Sequence, residues 1–126
     1  MHILLVEPDK LQARAITGVL ERDGHTVAPA VSAQAAVHLA DEQAPHVVVL
    51  ELQLPRHNGI EFLYEFRSYT EWLHIPVVLY TFVPERELEA AVALRTELGV
   101  ARVLYKPTTT LVQLADAIRA AALVAS

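Results

Sequence analysis

A chain of 126 residues, 53% apolar and 20% charged, has the size of one domain around one core, since cores rarely split below about 250 residues. Its formal net charge of −5 argues against a nucleic-acid surface, which needs a concentrated excess of Lys and Arg. Cysteine is absent, which excludes disulfide and thiol chemistry and agrees with a reducing compartment.

The opening MHILLVEP has too short an apolar stretch for a signal peptide and lacks the basic leader. No apolar stretch approaches the roughly 20 residues that span a bilayer. A cytoplasmic domain with no membrane contact is the expectation. In chain order, HILLV (2–6) reads as a strand, and Leu11, Ala15, Val19 and Leu20 as the apolar stripe of a helix capped by Asp9 and closed at Gly24. TVAPA (26–30) is an edge strand, because Pro29 removes a ladder donor. Ser32 caps a helix carrying Ala36, Leu39 and Ala40, and HVVVL (46–50) follows as an uninterrupted apolar strand. RHNG (56–59) is a turn before a helix with Ile60, Leu63 and Phe66 inward. Phe62, Phe66 and Tyr69 read as core, whereas Tyr64 and Trp72 fall outside that stripe and are candidates for an exposed contact.

PVVLY (76–80) is the fourth strand, followed by a helix with Pro84 in its first turn, an apolar stripe of Leu88, Ala91, Leu94 and Leu98, and Gly99 at its end. RVLY (102–105) and a helix with Leu111, Leu114, Ile118 and Ala121 complete the chain. Five β-α units require right-handed crossovers and a parallel sheet covered on both faces. That cover explains why VVVL is continuous rather than alternating. The reading is one domain over residues 1–126.

Ligands of open α/β sheets gather beyond the carboxyl ends of the strands. The residues there are Glu7, Pro8 and Asp9; Glu51; Thr81 and Phe82; Lys106 and Pro107. Six histidines, at positions 2, 25, 38, 46, 57 and 74, show no helical pairing that would suggest zinc.

Together, ILLVEPD, VVVLELQLPRHNG, IPVVLYTF and VLYKP resemble, in order and across the whole chain, the receiver domain of two-component response regulators. The resemblance implies a flavodoxin-like, CheY-like three-layer sandwich: a five-stranded parallel sheet of order 2-1-3-4-5 with five helices. It also implies phosphoryl acceptance by an Asp at the position of Glu51. A metal would be held by that Asp, by an acid pair after the first strand, and by the carbonyl at the position of Gln53. Thr81 and Lys106 match the switch hydroxyl and the lysine of the family. The Lys106–Pro107 bond is implied to be cis.

Five departures from the family pattern bear on function. Glu51 stands at the phosphoacceptor position, Pro8 replaces the second acid, and Asp9 comes one residue late. Phe82 replaces a small residue, and Val103 replaces an aromatic. Glu is one carbon–carbon bond longer than Asp, about 1.5 Å, so Glu51 is either a built-in mimic of the phosphorylated state or one half of an ion pair with Lys106. The ion pair is preferred, because a carboxylate carries less charge and fewer acceptor oxygens than a phosphoryl group. The metal site is read as degenerate: Glu7, Glu51 and Gln53 remain, no cofactor is expected, and Mg²⁺ binds weakly at most.

The expected function is that of a pseudo-receiver: a phosphorelay signalling domain, not an enzyme, acting by protein–protein contact without conventional aspartyl phosphorylation. The alternative is a receiver that still accepts phosphate. A hydrolase is disfavoured, since no nucleophile–base pair stands at the strand ends. The resemblance places the contact surface on the fourth helix, fifth strand and fifth helix, where Val92 and Ala93 lie beside Arg95 and Glu97. The expected partner is a protein: a second copy of the chain, a fused or separate effector, or a histidine kinase.

Overall fold

The computed structural model describes residues 1–88 and 91–125, the side chains of Ala91 and Val92 excepted. Five β-α units follow one another: β1 (His2–Val6), α1 (Lys10–Arg22), β2 (Thr26–Ala30), α2 (Ala33–Glu42), β3 (Val47–Leu50), α3 (Gly59–Arg67), β4 (Val77–Thr81), α4 (Ala91–Thr96), β5 (Val100–Tyr105) and α5 (Leu111–Ala125). The strands form one parallel sheet of order β2-β1-β3-β4-β5. Pro29 lies on the edge strand β2, opposite Leu5, where a missing donor costs no ladder bond on the open side. This is the flavodoxin-like, CheY-like sandwich.

Successive residues of each strand feed opposite faces, as the pleat requires. Leu4, Val6, Val48, Leu50, Val77 and Leu79 pack with α2, α3 and α4. Ile3, Leu5, Val47, Val49, Val78 and Tyr80 pack with α1 and α5. Each fully buried aliphatic side chain contributes roughly 1.5–3 kcal/mol relative to exposure, and the strands are clad on both sides by such residues.

Several local expectations change. The buried face of α1 is Ala13, Ile16 and Leu20, whereas Leu11 is 75% exposed and Ala15 also faces outward. Two stripes a third of a turn apart are both apolar in this helix, and packing against α5 selects the one carrying Ile16. Pro84 precedes a 3₁₀ turn at Glu85–Glu87 rather than opening α4. β5 begins two residues earlier than RVLY, with a register shift opposite Val77/Val78 that brings Val100 into the ladder. Among the described residues no peptide bond is cis, so Lys106–Pro107 is trans.

The turn before α3 is built differently from a simple Asn-Gly turn. The left-handed residue is Arg56, at φ 67°, while Asn58 caps α3 by accepting the Glu61 amide at 2.9 Å. Gly59 is required by crowding. A Cβ there would lie 2.7 Å from Leu52 Cα, and its amide donates to the Leu52 carbonyl at 2.7 Å. This clamp fixes the segment immediately after Glu51.

Trp72, read as an exposed contact, is buried, with 3% of its surface accessible. It sits in a 3₁₀ turn after α3 and stacks on Phe66 with ring centroids 4.9 Å apart. Tyr64 is exposed as expected. Arg67, unremarked in the sequence, holds this end of the sheet together by donating to the carbonyls of Leu98 (2.8 Å), Trp72 (2.7 Å) and Ile75 (2.6 Å).

Candidate functional site

The carboxyl ends of β1, β3, β4 and β5 bring Glu7, Glu51, Thr81 and Lys106 into one cluster. Glu7 and Glu51 are each 3% exposed, Thr81 is fully buried and Lys106 is 8% exposed. The Lys106 ammonium donates to Glu7 Oε1 at 2.5 Å and to Glu51 Oε1 at 2.9 Å. One cation thus bridges two carboxylates contributed by strands on either side of the sheet's switch point.

Removing two carboxylates and an ammonium from water costs several kcal/mol per ion, which pairing offsets only if the remaining lone pairs are also satisfied. Here they are. Glu51 Oε1 also accepts the Phe82 amide (3.2 Å), while Oε2 accepts the Thr81 hydroxyl and the Gln53 amide (3.1 Å). Thr81 Oγ1 accepts in turn from the Val83 amide at 3.1 Å. Glu7 Oε2 accepts the Asp9 amide at 3.0 Å. The backbone turns after β1, β3 and β4 therefore act as fixed dipoles around the excess negative charge.

Burial pushes the Glu51 pKa upward, but the hydrogen bonds from Thr81, Lys106 and the Gln53 amide, together with the ammonium's charge, outweigh it and leave the group below its ordinary value. Glu51 is ionised at neutral pH. Two aromatic rings lie beside the ammonium, Phe82 at 4.8 Å and Tyr80 at 5.6 Å from Nζ to centroid. Phe82 itself is 46% exposed and roofs the site.

The remaining expected site residues are placed as follows. Asp9 caps α1, its Oδ1 accepting the amides of Leu11 (2.9 Å) and Gln12 (3.1 Å) and its Oδ2 accepting the Gln12 side-chain amide at 3.4 Å. Pro8 offers no carboxylate. Gln53 is exposed and contributes its amide to Glu51. Ala93 is half-buried on α4, and Arg95 is exposed and ion-paired to Glu85 at 2.5 Å. The Val92 side chain lies outside the described residues. Lys106 lies nearer to Glu7 than to Glu51, which strand order does not signal, since β3 stands between β1 and the β4–β5 side of the sheet; side-chain reach decides it.

The site and fold agree with comparisons to known proteins. The family model "Response regulator receiver domain" matches residues 3–119. The chain is 30% identical over 80 residues to Protein PilH of Pseudomonas aeruginosa, covering 64% of this chain and 66% of that protein. It is 29% identical to a protein-glutamate methylesterase/protein-glutamine glutaminase of Geobacter metallireducens over 96% of this chain but 36% of that protein. The chain thus corresponds to only about a third of the methylesterase's length. Among solved structures, a response regulator receiver domain protein from Clostridium thermocellum superposes with a TM-score of 0.82 at 26% identity, covering 98% of this chain and 94% of that one. By family match, strand order and strand-end residues, this chain belongs to the response regulator receiver domains, the signalling domains of two-component systems.

Proposed function

We propose that this receiver domain signals by protein contact without accepting phosphate, with Glu7, Lys106, Glu51 and Thr81 holding the site in one conformation. The observation that supports this reading is the saturation of Glu51: four protein donors converge on its two oxygens, and the ammonium that would otherwise meet a phosphoryl oxygen is engaged by both carboxylates. A nucleophilic carboxylate needs a free oxygen in line with the incoming phosphorus, and Glu51 offers none without breaking buried bonds. The Phe82 ring occupies the approach over Lys106.

The donor set does not fit a divalent cation. Mg²⁺ takes octahedral oxygen ligands, usually one or two carboxylates with several waters. Pro8 supplies no oxygen side chain, and the oxygens of Glu7 and Glu51 facing each other are bridged by Lys106. The ammonium does the charge balancing that a metal would do.

A two-state element is biased by differential contacts, so a permanent Glu51–Thr81–Lys106 arrangement supplies a constant bias that dephosphorylation does not reverse. Receiver domains interact with histidine kinases, effectors or other proteins; for this chain the proposed output face is α4, β5 and α5, including Ala93 and Arg95. No helix among the described residues is long and apolar enough to cross a membrane. Incubation with acetyl phosphate and Mg²⁺ followed by intact-mass measurement tests the reading. An unchanged mass is expected. A stoichiometric gain of one phosphoryl group would overturn it.

A further inference from the structure

On the face opposite α1 and α5, the side-by-side helices α2 and α3 leave a trough of about 740 Å³. Its origin is in the sequence. α2 meets the sheet through alanines, Ala33, Ala36 and Ala40, so it beds close to the strands and sends little side-chain volume toward α3. The floor is aromatic, formed by Phe62, Tyr69 and Trp72. Tyr69 and Trp72 lie with ring centroids 4.6 Å apart.

The rim is acidic. Asp41 rises from α2, and Glu61 and Glu65 from α3. Two histidines also line the trough, and each pairs with a carboxylate: His38 with Glu42 at 3.0 Å and His57 with Glu61 at 3.4 Å. Among the described residues no lysine or arginine lines the trough, and neither Asp41 nor Glu65 has an ion-pair partner. These two carboxylates stand exposed beside aromatic rings.

We infer that this trough is a docking groove for an arginine-bearing segment of a partner protein. An arginine suits it on three counts. Its planar guanidinium forms bidentate bonds to carboxylates, stacks on aromatic faces, and carries an aliphatic stem that covers apolar floor. The volume exceeds one side chain and fits the several anchors that a helix or extended segment lays into a groove. The groove lies apart from the Glu51 cluster and from the α4–β5–α5 face, so it adds a second contact surface whatever the phosphorylation state of the domain.

Trp72 is the single tryptophan of the chain and reports on the groove directly. The chain is titrated with a short capped peptide of arginine, leucine and alanine while Trp72 emission is followed. A saturable change is expected, weakened by added salt as exposed charge pairs are screened. The double substitution Asp41→Lys, Glu65→Lys should weaken binding about tenfold while leaving the thermal midpoint near that of the parent chain, because both carboxylates are exposed and neither is ion-paired among the described residues. Glu21→Lys on α1, which shifts net charge in the same sense, should leave affinity within about twofold.

Three results would each overturn the inference. One is the absence of a saturable response. Another is equal weakening by Glu21→Lys, which would show diffuse attraction to an acidic protein. The third is an equal response to a peptide with glutamine in place of arginine. Concentration-dependent self-association that abolishes peptide binding would assign the groove to a second copy of this chain and would likewise overturn it.

Discussion

The substitution Glu51→Gln isolates what the buried carboxylate contributes. It keeps shape and volume but turns one oxygen into an NH₂ donor. Each oxygen of Glu51 receives two donors: Lys106 and the Phe82 amide on one, Thr81 and the Gln53 amide on the other. Whichever way the amide lies, its nitrogen takes the place of an acceptor for two donors, so two donors lose their acceptor, even where the Thr81 hydroxyl turns to accept from the new amide. Lys106 keeps Glu7 at 2.5 Å, so its charge does not become unpaired, and the effect falls short of the 3–5 kcal/mol typical for breaking an isolated buried pair. Two buried donors left unsatisfied give about 2–4 kcal/mol. For a domain of this length the midpoint should fall by roughly 8–15 °C. Thermal unfolding at pH 7 by circular dichroism measures it, with Glu21→Gln on the surface of α1 as control, expected within about ±0.5 kcal/mol. Equal midpoints for the two variants would refute the argument that Glu51 is a saturated, buried partner.

The same carboxylate sets a pH dependence. Its folded pKa is depressed below an unfolded value near 4.3, so its contribution is fully present above that pH and is lost as pH falls through the folded pKa. Stability curves of the parent and Glu51→Gln should converge below about pH 4; a gap that stays constant would contradict this. Lys106→Met leaves two buried carboxylates without a cation. The buried site then takes up a proton on folding, so this variant should gain stability as pH falls from 7 toward 5, read by denaturant unfolding at each pH. Isothermal titration with Mg²⁺ or Mn²⁺ should show no saturable binding, and micromolar affinity would contradict the donor-set argument. Gly59→Ala drives a Cβ into Leu52 backbone and should cost about 1–3 kcal/mol as local overpacking, measured by chemical denaturation.

The periodic features of the fold were legible in the sequence because burial on both sheet faces leaves an unmistakable run such as Val47–Leu50, and because Pro29 can stand only at an edge. Helix phase was less so. Leu11 is more apolar than Ala13, yet Ala13 is buried and Leu11 exposed, since the orientation of α1 is decided by Ile16 and Leu20 against α5. Trp72 illustrates the same limit: it follows α3 by several residues, and only the 3₁₀ turn rotates its ring back onto Phe66. At the site, the strand-end rule located Glu7, Glu51, Thr81 and Lys106, but not how the charge is shared. Lys106 bridges two acids because neighbouring strands place Glu7 and Glu51 side by side, which depends on sheet order and side-chain reach rather than on any local motif. Asp9, similar in sequence to a site acid, is held by the helix it caps.

In the proposed function, Lys106 and the carboxylates fix a conformation which phosphate and metal do not alter. Recording amide chemical shifts before and after adding Mg²⁺ with beryllium fluoride, a phosphoryl mimic, tests it directly. The amides of Gln53, Phe82 and Val83, and those of α4 and β5, are expected to stay in place. Saturable shifts at Phe82 and Val83 that spread into α4 and β5 would show a site still able to take a phosphoryl group and switch, and would contradict it.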